Sequence, residues 1–174
     1  MEIHFIILGI FLCIVFYYDA IRQIIPNWLN VSGAVVGVGY HSLSAGVDGF
    51  IQSFGGGLVC GIILLVLYVF KAIGAGDVKL FFAIGTMTGI LFGLYSIMYA
   101  IICAGIIGLL YLLFTRTFLI QLTLSIIHMK ESIQKKSLTP MEEFKRNRAT
   151  RFPFIYAVIP GVLITFYYMV VLGG

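Results

Sequence analysis

Two aspartates, Asp19 and Asp77, lie at the borders of long apolar runs. Asp19 follows Tyr17 and Tyr18 at the end of the first run, and Asp77 follows Gly74, Ala75 and Gly76 at the start of another. An ionisable group close to hydrocarbon is costly to maintain, so such residues are the first place to look for chemistry. Two carboxylates at equal depth, on helices able to pack together, are the parts of an aspartic protease dyad. One carboxylate is ionised and takes a proton from water, while the other, protonated, hydrogen-bonds the carbonyl under attack. Gly74 and Gly76 suit the same chemistry, because backbone without Cβ atoms lets an extended substrate strand lie against a helix start. Each aspartate also has a plainer reading. Asp77 can cap free amides at a helix N-terminus, and Asp19 can be a surface residue paired with Arg22 one turn on.

Other candidates are weaker. Lys79 lies two positions beyond Asp77, about 200° round a helix, so it is expected to point away from the carboxylate and snorkel to lipid headgroups. Glu2 and Asp48 fall at the opposite ends of their runs, and Glu131, Glu142 and Glu143 belong to a mixed-charge segment suited to water. His4, His41 and His128 are expected at different sides or depths, and Cys13, Cys60 and Cys103 sit in apolar surroundings, so neither a metal site nor a disulfide framework is expected. No HExxH or GxSxG string is present, which leaves zinc and serine protease chemistry without support.

The elements that must position the two aspartates are apolar helices. Of 174 residues, 61% are hydrophobic and only 10% charged, and the mean hydropathy is +1.09; a soluble domain carries about 25% charge. The chain therefore reads as an all-α polytopic membrane protein with about six transmembrane helices. The expected runs are 3–18, 28–46, 50–70, 77–93, 95–114 and 152–172, with a tight turn near Leu94. The first run lacks the basic start and cleavage site of a signal peptide and is expected to be a retained helix. With this count, loops 19–27, 71–76 and 115–151 share one side, and all 11 Lys and Arg residues fall on or just beyond them. By the positive-inside bias that side is cytoplasmic, so the net charge of +4 reads as a topology signal and nucleic-acid binding is not expected.

Within the long loop, Leu119, Leu122, Ile126, Met129 and Ile133 recur at helical spacing over a stretch too short to cross a bilayer. They suit a helix between the fifth and sixth spans that lies against membrane lipid, with Lys130, Lys135 and Lys136 near anionic headgroups, or one packed on the bundle. Gly33 and Gly37, Gly57 and Gly61, and Gly85, Gly89 and Gly93 are spaced by four, a pattern that lets helix backbones approach closely.

Asp19 with Ile25-Pro26-Asn27-Trp28-Leu29, then Gly74-Ala75-Gly76-Asp77-Val78-Lys79-Leu80, resembles the type IV prepilin peptidases. The short length resembles their compact branch serving tight-adherence (Flp) pili, and Arg151-Phe152-Pro153-Phe154 entering the last run resembles the family's tail. The resemblance spans essentially the whole chain. It implies a single membrane-embedded peptidase domain over 1–174, in the bacterial cytoplasmic membrane, that cuts leader peptides from prepilin or pseudopilin precursors at the cytoplasmic face. It further implies Asp19 and Asp77 as the catalytic pair, with Pro26, Asn27, Gly74, Gly76 and Lys79 as motif support and no cofactor. Longer members carry paired CxxC zinc motifs between their first two spans; here segment 19–27 has no Cys, so a zinc-dependent methylating half is not expected. A presenilin-like protease also pairs Tyr-Asp with GxGD, as Tyr18-Asp19 does here, but the Pro-Ala-Leu motif of that family is absent. A small cation-coupled transporter would favour carboxylates at the midplane of interrupted helices rather than at helix ends.

Overall fold

A computed structural model describes residues 3–22, 25–114 and 154–172, and every regular element among them is helical. The order is α1 (Ile3–Arg22), α2 (Asn27–Val69), α3 (Ala75–Thr88), α4 (Ile90–Phe114) and α5 (Ile155–Phe166), with α5 continued by π-helix through Tyr167–Leu172. The proposed lipid-facing helix within 115–151 and the motif residues Arg151, Phe152 and Pro153 lie outside the described residues. Two compact units are distinguished, Met1–Ala104 with Pro153–Gly174, and Gly105–Phe152. The first contains both aspartates; the second contributes the end of α4 to the described residues.

Among the described residues, four helical segments are long and apolar enough to cross a membrane: Ile3–Arg22, Asn27–Val69, Ile90–Leu110 and Ile155–Leu172. The second is a folded-back pair. Gly46 departs from helical geometry with φ 61° and ψ −135°, a backbone state that only glycine adopts without strain. Gly37 and Gly57 both lie against Thr86, although in a straight helix they would be about 30 Å apart. The chain therefore reverses at Gly46, where hydropathy predicts the break between the second and third runs.

The fourth run departs from expectation. Hydropathy extends it to Gly93 with a turn at Leu94, but α3 stops at Thr88, and Gly89 caps it with φ 82°. Apolar Ile90, Leu91 and Phe92 follow at once, so hydropathy carries no mark of the break. At 14 residues, α3 is about 21 Å long, short of the roughly 30 Å of hydrocarbon. Gly89 is accordingly a helix stop, while its predicted companions Gly85 and Gly93 are packing residues. A Cβ at Gly85 would meet the Gly56 carbonyl carbon at 2.8 Å and Cys60 Sγ at 2.9 Å, and one at Gly93 would collide with Cys60 Sγ.

The interior is filled by Phe81, Leu64, Leu80, Ile84, Ile155, Val15 and Val158, all essentially inaccessible. Three of its hydroxyls are paired along or between helices: Ser53 Oγ donates to the Thr86 carbonyl at 2.6 Å, Thr86 Oγ1 to Ala83 at 2.7 Å, and Thr165 Oγ1 to Gly161 at 2.9 Å. Outside, the helices present Leu43, Val47, Ile62, Leu91, Ile102 and Leu163. Apolar outside with satisfied backbone inside is the arrangement that lipid demands, and the chain is an integral membrane protein.

Candidate active site

Asp19 occupies the last turn of α1. The buried face of that helix is Leu8, Phe11, Leu12 and Val15, and Asp19 continues it one turn on. Only 7% of the residue is exposed. Its Oδ2 accepts a hydrogen bond, 3.4 Å long, from the backbone N–H of Ile155. Ile155 opens α5, where amides have no intrahelical acceptor and the helix dipole favours a negative charge. The surface pairing with Arg22 is not what the structure shows: the Arg22 guanidinium lies over the Tyr18 ring, 5.9 Å from its centroid. Tyr18 also meets Trp28 edge-on at 6.1 Å.

Asp77 sits in the first turn of α3, partly buried. The Gly74 N–H donates to its Oδ2 at 3.1 Å, and the Asp77 N–H returns to the Gly74 carbonyl at 3.1 Å. The capping role is therefore real, and it engages one carboxylate oxygen. Glycine has no side chain to complete a reciprocal box, so α3 begins with this single side-chain bond. Burial pushes the Asp77 carboxyl up to about 6; the Gly74 amide opposes that shift, and the negative charge of Asp19 adds to it. The two carboxylates, on different helices and 58 positions apart in sequence, are thus within electrostatic reach of each other.

The motif residues around them form a frame. Pro26 precedes α2 in extended geometry, φ −62° and ψ 136°. Asn27, the first residue of α2, accepts a hydrogen bond from Lys79 Nζ at 2.8 Å. Lys79 points away from Asp77 as its spacing requires, yet its ammonium is held by Asn27 instead of being left to headgroups. That bond joins the segment following Asp19 to the helix carrying Asp77. The two glycines differ: a Cβ on Gly74 would come within 3.2 Å of Asp77 Oδ2, whereas one on Gly76 would meet nothing within 4 Å among the described residues.

The expectation for the histidines is corrected. His4 and His41 lie together, ring centroids 5.6 Å apart, with Tyr40 beside both. His41 Nε2 is 2.8 Å from the carbonyl of Met87 at the far end of α3 from Asp77. Because α1 and the first arm of α2 run antiparallel, the start of one meets the end of the other. No cluster of three or more metal-ligating side chains occurs among the described residues, and His128 lies outside them.

The model of the type IV leader peptidase family matches residues 6–113. The chain belongs to that family. No curated protein and no solved structure shows a significant match. Membership makes this type IV leader peptidase a hydrolase of peptide bonds. The matched segment contains Asp19, Asn27, Lys79 and the Gly74–Asp77 turn, but stops before Ile155, whose amide the Asp19 carboxylate engages. Sequence reasoning missed Ile155 because a backbone amide has no side-chain signature; the one available signal was Pro153, which suits the start of a helix.

Proposed function

We propose that this peptidase is an aspartic endopeptidase that removes leader peptides from prepilin-like, Flp-type precursors at the cytoplasmic face of the bacterial inner membrane. The observation that carries the reading is the pair of carboxylates, Asp19 at the end of α1 against the first amide of α5 and Asp77 in the first turn of α3, with the charge of Asp19 acting on Asp77. Two such groups share one proton at working pH. Burial favours the proton on Asp77, and we therefore take Asp77 as the acid and Asp19 as the base.

Asp19 takes a proton from water as the water oxygen bonds to the scissile carbonyl carbon. Asp77 gives its proton to the carbonyl oxygen, producing a neutral gem-diol. Asp19 then passes its proton to the leaving nitrogen, the C–N bond breaks, and a gem-diol hydroxyl returns its proton to Asp77. The open space over Gly76 suits the main chain of an extended substrate. The short connection between α1 and α2 supports the peptidase-only form, and the basic residues gathered in alternate loops support the cytoplasmic location. The test is co-expression with each small pilin-like precursor encoded nearby. Mass spectrometry should show leader removal by the wild type, and intact precursor in every pairing would overturn the reading.

A further inference from the structure

Asn30 is 3% exposed, and among the described residues neither its Oδ1 nor its Nδ2 has a hydrogen-bond partner. A buried carboxamide left unpaired is costly, and leucine would fill a similar volume without that cost. Its position is fixed by its neighbours. Asn30, Gly33 and Gly37 recur on one face of α2; Gly33 packs on Phe11 of α1, and Gly37 on Thr86 and Met87 of α3. One turn before Asn30 on that helix, Asn27 holds Lys79 of α3. Stepping along both neighbours from these contacts places Asn30 near the level of Val15 on α1 and between Leu80 and Ala83 on α3, all fully buried. Val15 is one turn from Asp19, and Leu80 one turn from Asp77. The carboxamide is therefore about 5 Å, one helical turn, further into the bundle than the two carboxylates.

A carboxamide presents a donor and an acceptor in one plane, the same pair that a peptide group presents. An extended strand cannot satisfy its own main chain, and away from water that deficit is severe. An extended chain advances about 3.3 Å per residue, so the peptide group one or two residues from the cut bond reaches the level of Asn30. We infer that Asn30 binds a main-chain peptide group of the substrate, one or two residues to the membrane side of the bond that is cut. This rests on the aspartic peptidase reading above and extends it: the substrate is unwound past the cleavage point and held there through its backbone, whatever its side chains.

The test uses the full chain in detergent and synthetic precursor peptides in which one backbone amide at a time is replaced by an ester. Asn30→Leu should melt at or above the wild-type temperature, because an unpaired polar group has been removed, while KM rises roughly tenfold, the scale of one buried hydrogen bond. One ester position on the membrane side should raise the wild-type KM several-fold and leave that of Asn30→Leu unchanged. Asn30→Ala carries the same comparison if Leu does not fit. Wild-type KM in these variants, or additive effects at every ester position, would overturn the inference while leaving the dyad intact. A large fall in melting temperature in both variants would also overturn it, by marking the carboxamide as structural. If the wild type cut no precursor while Asn30→Leu remained stable, the aspartic peptidase reading itself would fail and this inference with it.

Discussion

At Gly56 and Gly85 an added Cβ would fall against the facing backbone, whereas at Gly76, at the other end of α3, it would meet nothing within 4 Å among the described residues. The first two lie where the returning arm of α2 is pressed on α3, and a Cβ on Gly57 would likewise crowd Thr86 and Phe82. Glycine in this seam is spent on helix approach, which in lipid replaces the missing hydrophobic drive between helices. Glycine in the turn before Asp77 leaves room for a visitor. The two regions share one short helix, so a change at one end need not be felt as the same kind of defect at the other. Stability should depend on the seam and turnover on the turn.

The largest effect is expected at the carboxylates. Asp19→Asn and Asp77→Asn should each lower the cleavage rate more than a thousandfold, because an amide is neither base nor acid here. Both variants should remain membrane-inserted and folded. A variant that lost folding together with activity would show that the turn is structural after all, and the contrast with the seam would collapse.

Next come the seam glycines. Gly56→Ala and Gly85→Ala must displace backbone or Cys60, and overpacking of this kind costs about 1–3 kcal/mol. Thermal unfolding in detergent should show a clear drop for each, while the surviving folded fraction cleaves at a rate near wild type. Gly76→Ala should give the opposite result: unchanged melting, and cleavage slowed roughly tenfold or more by a methyl group in the substrate's path. Normal cleavage by Gly76→Ala would show that the open space above it is not where substrate lies.

Much of this architecture could be read from the sequence because hydropathy and charge are local properties. The apolar runs, the reversal near Gly46 and the placement of both aspartates at helix ends follow from residue type and spacing. The stop at Gly89 does not, since apolar residues flank it on both sides and only its backbone angle breaks the helix. The burial of Asp19 was visible in principle in the face of Leu8, Leu12 and Val15. Contacts between distant segments were hidden for a different reason. Asn27 with Lys79, His4 with His41, and Asp19 with the Ile155 amide each need the mutual arrangement of whole helices.

The pH dependence should also divide the two regions. The Asp77 carboxyl is raised from 3.8 to about 6 in the folded protein, so its proton is held until pH rises through about 6. Above that, Asp77 is ionised, the acid is lost, and kcat/KM should fall tenfold per pH unit. The sign for stability is the same: a raised folded value contributes stability that is complete below 3.8 and lost as pH climbs through about 6. Asp77→Asn should therefore melt above wild type at pH 8 but not at pH 4. Gly85→Ala, distant from the carboxylates, should melt lower at every pH by a similar amount. A flat difference between Asp77→Asn and wild type from pH 4 to pH 8 would mean that Asp77 is not strained by burial and by Asp19.

The smallest effect is expected where the frame of the site is exposed. The bond from Lys79 Nζ to Asn27 Oδ1 lies at the surface, so its free energy is about 1 kcal/mol or less. It nevertheless spans the two segments that follow and carry the aspartates, and a small loosening there acts on their mutual position. Lys79→Met and Asn27→Ala should each slow cleavage about threefold to tenfold through kcat, with melting nearly unchanged, and the double variant should be no worse than either single one. Asn27→Asp, which keeps an acceptor and adds a charge for the ammonium, should retain near wild-type turnover. Independent, multiplying losses in the double variant would show that Asn27 and Lys79 act separately, for example on substrate, and that the clasp does not set the spacing of the pair.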